Sequence, residues 1–534
     1  MASVDLEFLS KSLGDRPLFP SPLAAPSYYA AIVGVSAVLW YVLTSIAAWY
    51  RLRGFRAVHW SAHFSYFWAA KTAYGGQQYW VHRVMFDQYK NADDDDGTPL
   101  LRIGPNQLIT NDPDIVRRIN AARSGYDRDP WYSAGRFNPY YDNMFSVLST
   151  PQHARWRTRT SHAYTGREVP DFEAGVNEQL ATFLERLRAY AASSDRLLDF
   201  GPMSSYFTVD VITRLAFGKE FGFLAEESDK YNFLTELTAL WPRMATSADV
   251  PWIRAVLFSK PVLKLMGPKG RDKTGFGALM GVAEKEVAKR FAPGAEKKKD
   301  MLISKLMARQ GSFMNHGLNQ TECEVEGLFM VISGTESTAS AIRCIMTYAM
   351  ATPSVYVKLK AEIQAAVRDG RVSSPIKVEE ARRLPYLQAV IYEGIRMRPP
   401  LLGLLAKVVP AGGDTLAGKH VPAGTAICTN FSSLLRSTKM FGADADVYRP
   451  ERFMELGAED RVAMERNTEL AFGSGQWQCV GRVISFMEMN KIVFETFRHF
   501  DLQLACPVKA CAVESYGVFL ESNMMVRVTN TATY

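Results

Sequence analysis

Cysteine is scarce in this chain, charge is thin and no internal repeat is visible. Six cysteines in 534 residues (Cys323, Cys344, Cys428, Cys479, Cys506 and Cys511) include no CxxC pair, which excludes a disulfide scaffold and points to a reducing compartment. Cys506 and Cys511 lie close together without further ligands nearby, so they read as small apolar side chains rather than a metal site. Charged residues make up only 22% against 47% hydrophobic and 12% aromatic, which excludes a disordered chain and supplies a large core. The net charge of +7 comes without a basic stripe interleaved with aromatics. That excludes a nucleic-acid partner and suits an anionic membrane or an acidic protein.

What the sequence does contain is one long uncharged run, "YYAAIVGVSAVLWYVLTSIAAWY", residues 28–50. Roughly 20 apolar residues span a bilayer, and aromatic residues at both ends match interfacial belts. A cleaved signal peptide has a basic start and a shorter apolar core, whereas this run follows "VDLEF". It reads as a permanent transmembrane anchor. Arg51, Arg53 and Arg56 follow directly, placing everything after it in the cytosol. The expected organisation is an N-terminal segment (1–27), the anchor (28–50), a linker and membrane-proximal segment (51–95) and a catalytic domain (96–534).

Along the chain, the aspartates of "NADDDDGTP" read as a solvated turn, and "LLRIGPNQLITNDPDIVRRI" as a hairpin leading into a helix. Residues 151–400 carry helical periodicity broken by "SADVPW", "GPKGRDKTGFG" and "APGAEKKKD". Beta character returns at "LLAKVVPAGGDTLAGKHVPAGTAICTNF", and "YGVFLESNMMVRVTN" reads as a closing hairpin. The fold expected is one mainly α domain with small β-sheets (α+β). Two motifs are rejected. Gly267, Lys273 and Thr274 have phosphate-loop spacing, but Asp272 puts an anion where phosphate would sit. His59 and His63 lack a third ligand for zinc.

The stretch "LAFGSGQWQCVGR", residues 470–482, sets Cys479 among Gly473, Gly475 and Gly481, whose spacing is not that of a dinucleotide loop. Glycines let backbone pass close to a flat cofactor, Phe472 can cover its face, and Cys479 offers a thiolate to a metal. The amphipathic segment that follows puts the sulfur at a helix N-terminus, which favours an anion.

Phe472-x-x-Gly475-x-x-x-Cys479-x-Gly481 resembles the haem-binding loop of the cytochrome P-450 superfamily, and further motifs follow in that family's order. "EGIR" (Glu393–Arg396) resembles its ExxR on one helical face. "YRPERF" supplies Arg452, which by resemblance joins Glu393 and Arg396 in a buried ionic network under the haem. "SGTEST" (333–338) resembles the oxygen-activating turn, in which glycine, acid and alcohol distort a helix above the iron. The resemblance implies that Glu336 relays protons and that Ser337, beside Thr338, hydrogen-bonds iron-bound oxygen. The family more often has threonine at 337, so serine predicts more leakage of reduced oxygen. Otherwise an acid in mid-helix has no evident structural purpose.

The resemblance also implies haem b with Cys479 as axial ligand, NADPH used through a cytochrome P-450 reductase with cytochrome b5 as a further donor, and residence in the endoplasmic reticulum membrane. An Arg near the cysteine commonly holds a haem propionate, but here Gln476 and Trp477 stand there. His153, Arg157 and Lys407 match other propionate positions, with Trp156 a register decoy. The loss is bearable: one hydrogen bond to a charged group is worth about 1.5–3 kcal/mol, against on the order of 10 kcal/mol from burying porphyrin.

The resemblance implies a pocket lined by residues 125–145, those around Phe221–Trp252, the start of "LFMVISG", 401–406 and Tyr516–Phe519; these stretches are apolar and aromatic, so a lipophilic substrate is expected, and a terpenoid, polyketide or alkaloid all fit. "AYTGREV" and "FGADADVYRPERF" look most like filamentous-fungal, pisatin-demethylase-like members of specialised metabolism. Arg155, Arg157, Arg159 and Arg167 suggest a basic face for the reductase. Two rivals stay open: a haem-thiolate isomerase or dehydratase needing no O2, and a non-catalytic haem ligand-binding protein.

Overall fold

A computed structural model describes residues 25–88, 98–166, 172–193, 195–292, 313 and 316–531. The aspartate run at 93–96, the break at 293–300, Arg167 and the segment before residue 25 lie outside the described residues. The helices that position the site are α1 (Ala25–Arg51), α2 (Pro113–Asn120), α3 (Thr150–Tyr164), α4 (Phe200–Phe217), α5 (Phe233–Asp249), α6 (Gln320–Ala351), α7 (Pro385–Met397) and α8 (Arg482–His499).

Helix α1 propagates because nothing charged and no proline interrupts residues 28–50. By length and composition it can cross a membrane. Arg51 ends it and ties it to the domain, donating to Asn106 Oδ1 (2.8 Å) and Thr425 Oγ1 (3.2 Å). The segment expected as a linker is packed on the domain: Ala57 bridges to Arg102, and the Tyr79 hydroxyl donates to the Met397 carbonyl at 2.8 Å.

Strands β1 (Leu100–Gly104) and β2 (Gln107–Thr110) form the expected hairpin, with Leu100 opposite Thr110, and Asp112 caps α2 through the amides of Asp114 and Ile115. With β3 (Asp127–Arg128), β5 (Lys407–Val408) and β8 (Ala426–Thr429) they make a sheet of order β1-β2-β8-β5-β3. A second sheet orders β4 (Leu198–Asp199), β12 (Met525–Asn530) and β9 (Phe500–Leu504) as β4-β12-β9. Hairpins β6–β7 (Asp414–Leu416, Lys419–Val421) and β10–β11 (Ala512–Ser515, Phe519–Ser522) complete the strands. The chain's tail is therefore not one hairpin: β11 turns back on β10, while β12 pairs with β9 and β4.

Helix α6 runs through the core, capped by an Asn319–Glu322 box, and carries fully buried Val331, Ile342 and Ile345. Around it α7 and α8 bury Val390, Met489 and Phe494 in the same cluster. Helix α4 approaches closest at Gly334, where a Cβ would stand 2.9 Å from Ile212 Cγ1. The glycine thus serves helix packing. The expected distortion of this helix does not break it, for α6 is continuous across 333–338.

A candidate haem-thiolate site

Two 3-10 turns, Glu469–Phe472 and Gly475–Trp477, fold the cysteine loop back onto itself. The Cys479 amide donates to the Phe472 carbonyl at 2.7 Å, and the Phe472 ring packs against Phe486 of α8 (5.4 Å). Gly475 has a φ of +60°, and a Cβ there would overlap the Asn120 carbonyl at the end of α2. Only glycine suits both demands.

Cys479 carries accessible surface, yet protein crowds its sulfur enough that burial pushes the thiol pKa up. Opposing burial are the amides of Gly481 and Arg482, at the start of α8, and the Arg157 charge, all of which favour the thiolate. Arg157, from α3, also clamps the loop, donating to the carbonyls of Gln476 (3.1 Å) and Gln478 (2.6 Å).

Beside the loop, buried basic side chains converge around Trp477, and among the described residues no carboxylate is hydrogen-bonded to Lys407, His153 or Arg128. Trp477 is buried and its Nε1 has no partner. The His153 ring lies 4.3 Å from it, Lys407 Nζ 3.3 Å from its centroid, and the Arg128 guanidinium 4.6 Å. His153 Nδ1, Lys407 Nζ and Arg128 Nε are also buried and unpartnered. Burial and the Arg128 charge hold Lys407 down to about 5, and burial with Arg128, Arg157 and Lys407 holds His153 down to about 2. Arg128 and Lys407 are direct cross-strand partners on β3 and β5. Like charges opposed on neighbouring strands are destabilising, and unpaired buried donors more so. The arrangement fits an anionic ligand with more than one carboxylate, as the two propionates of haem are.

The structure brings some of the residues expected at the propionates together and places others apart. His153, Lys407 and Trp477 come together, and Arg157 is next to them on the loop side. Gln476 takes part through its carbonyl. Trp156 faces elsewhere, donating to Glu326 Oε2 at 2.9 Å, as its register required. Arg128 was missed; nothing in "GYDRDPWY" distinguishes it, and only the pairing of two-residue strands puts it opposite Lys407.

On α6, the Ser337 hydroxyl donates to the Ser333 carbonyl one turn back, at 2.5 Å. Thr338 is buried and its hydroxyl donates to Ser485 Oγ of α8 at 3.2 Å. Glu336 accepts from Ser205 Oγ (2.7 Å) and Arg343 Nη2 (2.9 Å). The mid-helix acid therefore does have a structural partner, contrary to its sequence reading.

Glu393 and Arg396 of α7 are fully buried and pair bidentately at 2.7 and 2.9 Å. Arg452 donates to the same carboxylate at 3.0 Å and to Asp444 at 2.8 Å. Each guanidinium spends its other donors on carbonyls, Arg396 on Leu435 and Ala445, Arg452 on Phe441 and Val447. Burial alone would raise Asp444, but Arg452 and Arg449 outweigh it and hold the carboxyl near 2.

Of the stretches expected around a substrate, several meet. Trp131 and Tyr132 cluster with Leu404 and Ala406, Phe145 lies 6.1 Å from Phe329 of α6, and Gly517 O accepts from the amides of Leu402 (2.7 Å) and Gly403 (3.1 Å). Phe221 instead stacks on Phe217, and Trp252 is exposed. The basic face thins as well: Arg155 is exposed, but Arg157 serves the cysteine loop and Arg159 bonds Glu322 and the His316 carbonyl. The rejected zinc pair is apart in role, His59 accepting from the Ser61 amide and His63 lying 3.4 Å from Arg102.

Comparison with known proteins agrees with this geometry. The family model described as Cytochrome P450 matches residues 90–520. The chain is 59% identical over 485 residues to cytochrome P450 monooxygenase aba1 of Botryotinia fuckeliana, covering 90% of this chain and 92% of that one. It is 52% identical to cytochrome P450 monooxygenase abl1 of Leptosphaeria maculans (90% and 84% covered), and 37% identical to ABA1 of Pyricularia oryzae (95% and 97%). The chain thus belongs to the cytochrome P450 family, whose members bind haem through a cysteine thiolate, and it is a monooxygenase.

Proposed function

We propose that Cys479 would hold haem b through its thiolate in a membrane-anchored enzyme that oxidises a lipophilic small molecule of fungal specialised metabolism. The observation that carries the site is the set of unpaired buried donors at Arg128, His153, Lys407 and Trp477, beside the loop that presents Cys479. Haem, when bound, supplies dioxygen activation: two electrons and two protons convert O2 into one inserted oxygen atom and one water. NADPH supplies the electrons through a reductase, with cytochrome b5 as a further donor. The run at 28–50 with Arg51, Arg53 and Arg56 behind it supports a single-pass anchor in the endoplasmic reticulum and a cytosolic catalytic domain.

The chain's own residues then divide the work. Arg128 and Lys407 neutralise the propionates, with His153 and the Trp477 N–H as hydrogen-bonding partners. Arg157 fixes the loop, and the amides of Gly481 and Arg482 stabilise the thiolate. Phe472 and Phe486 keep water from the sulfur's side. Glu336 would relay protons to the neighbouring Ser337, whose hydroxyl donates to the Ser333 carbonyl. Phe145 and Phe329 offer apolar surface to substrate, backed by the buried Leu404 and Ala406.

The test is expression with a reductase. Purified protein is expected to carry haem and give the thiolate-type carbon monoxide difference band, and Cys479→Ser is expected to lose that band. Retention of the band in the variant, or absence of haem in the parent, would sink the reading. Product formed from fed extracts without O2 and NADPH would favour an isomerase or dehydratase instead.

A further inference from the structure

Glu336 sits at one end of a buried ionic chain that reaches the C-terminal hairpin. Its Oε2 accepts from Arg343 Nη2 at 2.9 Å, two turns further along α6. Arg343 Nε donates to Glu521 Oε2 of β11 at 2.6 Å, and Arg398, just beyond α7, donates to Glu521 Oε1. Arg343 Nη1 is placed by the Gly201 carbonyl (3.3 Å), Ser204 Oγ (3.3 Å) and Ser205 Oγ (2.9 Å) of α4. Ser205 in turn donates to Glu336 Oε1. Arg343 is 2% exposed and the Glu521 side chain not at all. Two carboxylates face two guanidiniums, so the chain is neutral as a whole, and Arg343 is the one cation both acids share.

We infer that Arg343 and Glu521 are positioning residues for Glu336, through which the hairpin sets where the acid's carboxylate points. This rests on the reading of Glu336 as the acid that relays protons. Arg343, Glu521 and Arg398 alone would leave one positive charge without a counter-charge; Glu336 supplies it, and its two oxygens are held by one hydroxyl and one guanidinium nitrogen. To exchange protons with water and pass them on, the carboxylate must loosen its hold on Arg343. How readily it does so depends on how firmly Glu521 holds the same guanidinium. Burial would lower the Arg343 pKa, but the two carboxylates more than offset it, so the cation remains charged throughout. Glu521 is also close in sequence to the turn at Gly517, whose carbonyl holds the amides of Leu402 and Gly403. That turn and residues 401–406 belong to the apolar surface assigned to substrate, so the substrate side and the acid are joined by contiguous contacts.

Removing the Glu521 charge leaves Arg343 to Glu336 alone and tightens its hold on the acid. Glu521→Gln is therefore expected to raise the share of NADPH electrons recovered as hydrogen peroxide, in reductase-reconstituted enzyme without added substrate. It is also expected to raise the solvent isotope effect on NADPH consumption. Arg343→Lys should keep more of the parent behaviour than Arg343→Gln. A readout independent of turnover is amide exchange in the full-length holoprotein: Glu336→Gln should speed exchange in 516–522, which Glu336 does not touch, by roughly two- to thirty-fold, the range such coupling carries. Should the Arg343 variants not fold, Glu521→Gln and Ser205→Ala carry the test. Variants that shift only the thermal midpoint, with peroxide share, isotope effect and exchange at 516–522 unchanged, would overturn the inference. A parent protein without haem would instead refute the proposed function, and the exchange experiment, run then on the full-length protein as purified, would still report whether the chain is coupled.

Discussion

Lys407 is a fully buried ammonium with no acceptor, which the folded chain tolerates only by shedding its proton. Burial and Arg128 lower it to about 5, from 10.5 in an unfolded chain. Between those values the unfolded state binds a proton that the folded state does not, so stability of the haem-free protein rises with pH across that window. The slope from one such group is at most about 1.4 kcal/mol per pH unit. Lys407→Met is expected to flatten it, as urea midpoints compared at several pH values would reveal. On the proposed function, the same substitution, or Arg128→Met, would remove from the holoprotein a charged hydrogen bond to a propionate worth about 1.5–3 kcal/mol. Haem loss to an acceptor apoprotein should then be about ten- to a hundred-fold faster. Lys407 was legible from its place in "KVVP". Arg128 was not, because a lone arginine between aspartates carries no periodicity or spacing.

At the scale of elements, the ExxR spacing alone predicts that Glu393 and Arg396 share a face of α7, and they do. That Arg452 shares the same carboxylate depends on how a distant 3-10 turn packs, which no local pattern contains. Glu393→Gln leaves the buried Arg396 guanidinium without its anion and Arg452 with Asp444 alone, and breaking such a buried pair costs about 3–5 kcal/mol. The expected outcome is a large fall in thermal midpoint and in recoverable holoprotein. Gly475→Ala meets both a positive φ and the Asn120 carbonyl. It should cost about 1–3 kcal/mol and lower haem occupancy per chain, measured as the ratio of haem to protein absorbance. The tail shows the limit of strand reading: "YGVFLES" and "MMVRVTN" are both strands, yet their partners lie elsewhere, because alternation fixes a face and not a partner.

For the whole molecule, α1 joins the domain through Arg51 and through Phe64, whose carbonyl accepts from Tyr41 and Ser45. These are few and peripheral contacts. A chain lacking residues 1–50 is expected to keep its haem and its carbon monoxide spectrum while moving largely from the membrane pellet to the supernatant on ultracentrifugation. The long apolar helix α1, the cysteine loop, the paired residues of α7 and the mainly helical fold with small sheets were all determined by the sequence itself, since each is a pattern of hydrophobicity or spacing within a few turns of chain. Only the tertiary structure decided which cations meet at Trp477, that Gly334 serves packing against Ile212, and that Glu336 is tied through Arg343 to Glu521. The reason is physical. A buried charge is defined by what surrounds it, and its neighbours here come from strands and helices that are remote in the chain and adjacent only once it has folded.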